Sequence, residues 1–108
     1  MNPQDHEIFL KAIHDKMKVR LQFTRVNGTS ATRLCAPLDF GPVRREQGHP
    51  ERYQFWDLDA RPQHWLSLPA ERITRIEATD EPFTPGSIIT WDVKEAPWSI
   101  PRDWGRFS

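Results

Sequence analysis

The chain predicts a mainly β domain with one N-terminal helix, on three observations. Apolar residues recur at helical spacing near the N-terminus, and the pattern then switches to period two with turn signals between short runs. The third observation is aromatic content: five Trp, six Phe and one Tyr in 108 residues. Hydrophobic residues make up only 37% and mean hydropathy is -0.71, yet these rings bury enough area for one modest core. A disordered chain lacks such residues.

Asn2-Pro3 reads as an N-cap followed by proline in the first turn, with Asp5 and Glu7 suited to the positive end of a helix. Ile8, Phe9, Ala12, Ile13 and Met17 form one apolar stripe, leaving His6, Lys11, His14 and Asp15 largely off it. From Lys18 the pattern alternates, with Val19, Leu21 and Phe23 against Arg20, Gln22 and Thr24. Asn27-Gly28 then marks a hairpin. A two-residue loop there places Phe23 opposite Thr32, Leu21 opposite Leu34 and Val19 opposite Ala36, with Arg20 meeting Cys35 and Gln22 meeting Arg33 behind.

Pro37, Gly41 and Pro42 close that strand, and Val43 to Pro50 reads as an exposed loop. Tyr53 to Leu58 is an aromatic-rich central strand. Residues 59–62 turn the chain and His64 to Leu68 returns. Pro69-Ala70-Glu71 fits a single helical turn, and Arg72 to Ala78 is the last strand. A meander followed by two short segments around one tight turn suggests a small five-stranded barrel. From Pro82 the chain changes character. Pro85, Pro97 and Pro101 alternate with Trp91, Trp98 and Trp104, which reads as an extended tail pinning its tryptophans onto the barrel. The division is therefore 1–83 for helix plus barrel and 84–108 for the tail, in one domain.

Formal net charge is zero, which argues against a general nucleic-acid coat but not against a local patch. The charge is unevenly spread. Lys16 to Arg52 holds eight Lys/Arg against three acids, whereas Asp57 to the end holds six against nine, so an anionic ligand docks on the first half. The single Cys35 forms no internal disulfide and has no second thiol for a zinc site. There is no basic and apolar leader and no apolar run of membrane-spanning length, so the cytoplasm is the expected location.

Several of these segments resemble the WYL domain, a small Sm-like or SH3-like barrel of bacterial transcription regulators. The resemblance spans roughly residues 8–83. It rests on Val19-Arg20-Leu21-Gln22-Phe23 with Asn27-Gly28, and on Arg33-Leu34-Cys35-Ala36-Pro37-Leu38. Tyr53-Gln54-Phe55 stands where the signature Trp-Tyr-Leu falls, and Leu66-Ser67-Leu68, Glu71-Arg72-Ile73 and Phe83 resemble the closing pattern. The resemblance implies a ligand-sensing or nucleic-acid-binding accessory module with a regulatory role. No helix-turn-helix segment is present, so the effector is expected on another chain.

Under that reading Arg20, Arg33, Arg52, Tyr53 and His64 are the candidate ligand-binding residues, for an anionic small molecule or a single-stranded nucleic acid. Arginine pairs with phosphate and a flat ring stacks on a base. The competing reading makes Tyr53 core and the arginines solvated strand decoration. Asp57-x-Asp59 near His64 has metal-ligand types but reads better as acids at a strand end, and no cofactor is expected. Cys35 lacks a glycine-rich elbow or oxyanion donor and reads as a small structural hydrophobe; His49 reads as a surface residue. No catalytic constellation is present, so the expectation is a non-enzyme. The Trp-rich tail either plugs the barrel's own groove or docks on a protein partner, including a second copy in a homodimer, and a sheet edge is the other surface expected to meet such a partner.

Overall fold

Asn2 caps the first helix, its Oδ1 accepting from Asp5 N at 2.7 Å, and Pro3 sits where a missing N–H costs nothing. In the computed structural model, which describes residues 1–42, 51–95 and 97–108, helix α1 runs over Pro3–Asp15 and buries Phe9, Ala12 and Ile13. Lys16 ends it in the left-handed region at φ 57, its N–H turned back to Ala12 O and Ile13 O. That reversal places Met17 in the first strand and so takes it off the helical stripe. The loop read at Val43 to Pro50, with His49, lies outside the described residues.

Five antiparallel strands follow: β1 Met17–Thr24, β2 Ser30–Gly41, β3 Arg52–Asp57, β4 His64–Leu68 and β5 Ile73–Pro82. They form one sheet in the order β4-β3-β2-β1-β5. The first four make a meander, and a 3-10 turn at Ala70–Arg72 carries the chain from one end of the sheet to the other.

The β1–β2 hairpin is one residue out of the predicted register. Val19 pairs with Cys35, Leu21 with Arg33 and Phe23 with Ala31. The cause is a three-residue loop, Val26-Asn27-Gly28, closed by Arg25 N donating to Thr29 O at 2.7 Å. Gly28 N also donates to Arg25 O at 2.9 Å, and of the two turn residues only Gly28 has positive φ, at 88. This is a type I turn followed by a left-handed glycine, not the mirror-image turn. Asn27 Oδ1 fixes it by accepting from Thr29 N at 3.0 Å and from the Thr29 hydroxyl at 2.7 Å. The slip reverses the face of every β2 residue in the hairpin. Ala31 and Cys35 are buried with β1's apolar face, while Leu34 turns outward opposite Arg20.

The core gathers under α1. Phe9 meets Tyr53 and Phe55 edge to face, with centroids 5.1 and 5.3 Å apart, and Leu21, Leu38, Leu68 and Ile76 fill around them. Each such side chain contributes roughly 1.5–3 kcal/mol by burial. Residues Cys35 to Asp39 are buried without alternation, so both faces of β2 are covered there. One cover is the α1 side. The other is the segment around Ser99 to Arg102, whose backbone N–H groups at Ser99 and Ile100 donate to the Asp39 carboxylate at 2.9 and 3.0 Å. Phe83, Ile88, Ile89, Val93 and Trp104 also enter the core. Among the described residues no helix is long and apolar enough to cross a membrane.

Candidate binding surface

Strand parity decides which residues can meet a ligand. Along β3, Tyr53, Phe55 and Asp57 turn inward, and Gln54 and Trp56 outward. Tyr53 is 4% exposed, packed on Phe9 and, at 4.4 Å between centroids, on Phe40. Its hydroxyl lies 2.6 Å from His6 Nδ1. Burial raises the phenol's pKa, and the Glu51 carboxylate adds to the effect. No ring face of Tyr53 is free to stack on a base.

Arg33 stands opposite Leu21 on the inner side, its Nε 3.5 Å from the Asp57 carboxylate. His64 faces Asp57 from the start of β4 and is exposed, with Nδ1 3.0 Å from Trp65 O. Arg33 and His64 therefore flank one buried carboxylate at the same end of the sheet. Arg52 opens β3 at the opposite end, opposite Gly41. Arg20 is exposed on the outer face, opposite Leu34 on β2 and Glu77 on β5. The five residues are thus divided between two faces and do not form one site.

The Asp57-x-Asp59 pair closes a turn. Asp57 Oδ1 accepts from Asp59 N at 3.0 Å and from Ala60 N at 3.1 Å, and Asp59 Oδ2 accepts from Leu34 N at 2.7 Å. Among the described residues no group of three His, Cys, Asp or Glu could hold a metal ion. Cys35 is fully buried. Desolvation, then the neighbouring Asp57 and Asp59 carboxylates, push its thiol well up, so it stays protonated.

The outer face carries what the sequence reading passed over. Trp56 on β3 pairs with Trp65 on β4, and both share the side on which Arg20 lies. Trp56 is steadied by its indole N–H donating to Gln63 Oε1 at 3.2 Å. From Trp65 a row of rings runs through Trp91, Trp98 and Trp104, at centroid spacings of 5.6, 6.2 and 5.7 Å. Exposure falls along it from 38% at Trp65 to 4% at Trp104. The period-two parity of residues 53–57 and 64–68 was the signal for this pair: Phe55 and Leu66 inside put Trp56 and Trp65 outside.

The buried end of the row is fixed by one ion pair. The Arg102 side chain has no exposed surface and lies between the Trp98 and Trp104 rings, 4.1 and 4.5 Å from their centroids. It donates to Leu38 O, to Ile100 O at 3.1 Å and to Asp39 Oδ1 at 3.2 Å. Desolvation lowers its pKa to about 10, against the opposing pull of Asp39. Trp104 completes the anchorage by donating its indole N–H to Ile13 O at 2.8 Å, a second donor beside Lys16 N–H for that carbonyl at the end of α1.

A separate groove of about 490 Å³ lies between the start of α1 and β5, lined by Asn2, Gln4, Ile8 and Thr74 among others. Asp5 is buried against it, with Oδ2 accepting from Ile76 N at 3.1 Å. No protein-family model matches the chain, and no curated protein or solved structure matches it either.

Proposed function

We propose that this chain is a non-catalytic, regulatory binding module whose contact surface is the outer sheet face carrying Arg20, Trp56 and Trp65, and whose ligand is a single-stranded nucleic acid. The carrying observation is the Trp56–Trp65 pair on the same face as the exposed Arg20. A base stacks on an indole for about 1–3 kcal/mol while arginine holds the backbone phosphate. The sheet order, with both terminal strands joined through one 3-10 turn, supports the small-barrel reading. In that reading residues 84–108 are a tail laid over the barrel.

Fluorescence titration with short oligonucleotides at several salt concentrations tests the function. Stacking quenches the tryptophan emission, and affinity falls with salt as phosphate contacts release counterions. Absence of quenching at low salt overturns the proposal.

A further inference from the structure

The row of rings from Trp65 to Trp104 has a pinned half and an unpinned half. The Trp98 indole N–H donates to Phe107 O and that of Trp104 to Ile13 O, both at 2.8 Å, and Arg102 lies between the two rings. Trp65 and Trp91 make no indole hydrogen bond among the described residues, and ring contact joins them at 5.6 Å and 60°. Trp91 is half-buried and stands between Ile89 and Val93, both buried. The turn after it closes on itself, with Asp92 Oδ1 accepting from Lys94 N at 2.9 Å and Asp92 O from Glu95 N at 3.1 Å. Asp92 is exposed, and with Glu95 against Lys94 the turn is net negative.

A base inserted between two rings holds them about 7 Å apart, twice the contact distance of stacked carbons. At 5.6 Å Trp65 and Trp91 leave no such gap, so Trp91 occupies ring surface that an incoming base needs. The exposed carboxylate of Asp92 beside it gives the pair the outline of a base followed by a phosphate. Resting on the ligand face proposed above, we infer that Trp91-Asp92 is a built-in competitor for that face. It stands in for one nucleotide and is displaced from Trp65 when a single strand binds. Trp91 is not a third ligand ring, because a strand stacked on it brings phosphate to the Asp92 carboxylate, and like charges repel at contact. A ring pair is worth less than a base stacked on an indole, so the strand displaces the cover, and the cover weakens binding without abolishing it.

Anisotropy titration of a dye-labelled oligothymidylate with the full chain, at low and high salt, tests this. Trp91→Ala is expected to bind about twofold to tenfold tighter than the wild-type chain, and the gain to vanish when Trp65→Ala is also present. Asp92→Asn keeps the acceptor for Lys94 N and with it the turn. It is expected to gain a few-fold at low salt only, and Glu7→Gln, exposed on α1 across the sheet, to gain nothing comparable. An affinity unchanged or lowered in Trp91→Ala, or a gain that survives loss of Trp65, overturns the inference while the ligand reading stands. Should Trp91→Ala unfold by circular dichroism, Asp92→Asn against Glu7→Gln decides, and an equal response of the two overturns the competitor. Binding by none of these chains overturns the ligand reading itself and the competitor with it.

Discussion

Cys35 and the Arg102–Asp39 pair show how burial sets chemistry one residue at a time. The thiol's ordinary value is 9.0 and its folded value lies well above that. The folded state therefore keeps a proton that the unfolded chain loses, so the stability linked to Cys35 is complete below pH 9 and declines as pH rises. The slope from this one group approaches about 1.4 kcal/mol per pH unit. Tyr53, raised for the same reason, adds to the decline above its ordinary value of 10.0. Chemical denaturation at pH 8, 9.5 and 10.5 is expected to show this fall, and Cys35→Ala to flatten it despite a lower starting stability. At Arg102, substitution by alanine leaves the Asp39 carboxylate buried without its cation and removes the ring packing on both sides. The expected loss is about 3–5 kcal/mol in urea denaturation. Trp65→Ala, at the exposed end of the same row, is expected to cost far less in that assay.

Elements were legible where a local rule had one solution. The Asn2-Pro3 cap, the helical stripe through Ile13, and the strand–turn–strand order from Tyr53 to Ile73 each follow from spacing and turn chemistry, and the structure has them. The hairpin register was not legible, because Asn-Gly serves both a two-residue mirror turn and a type I turn ending in a left-handed glycine. Thr29 decides between them by giving its N–H and hydroxyl to Asn27, a choice that composition does not display. Gly28→Ala tests the turn directly. At φ 88 a Cβ is strained though nothing crowds it, so a loss of about 1 kcal/mol is expected in denaturation experiments. Tyr53 is grouped with the arginines because it stands where the signature tripeptide of the resembled family falls, whereas strand parity sends it inward to Phe9 and His6 and sends Trp56 outward. Edge protection on β5 also belongs to this scale. Asp5→Ala leaves the Ile76 N–H unpaired and is expected to cost about 1–3 kcal/mol in thermal or urea unfolding.

At the scale of the molecule, α1 covers one side of the sheet, and the anchored C-terminal residues cover part of the other. On that second side Arg20 and Trp65 are exposed and Trp56 is half-buried. The excess of basic residues in the first half does not by itself make a patch, since Arg33 is spent on Asp57 and Arg20 faces Glu77. Aromatic surface, with Arg20 as its cationic neighbour, is therefore the feature on which binding rests. The most direct measurement is an amide and indole chemical-shift map of the labelled full chain titrated with a short single-stranded oligonucleotide. The largest shifts are expected on Arg20, Trp56 and the Trp65 indole N–H, with the Tyr53 and Phe9 amides little changed. Shifts centred on Arg33 and His64 at the inner end of the sheet, or none at all, contradict binding at the outer face.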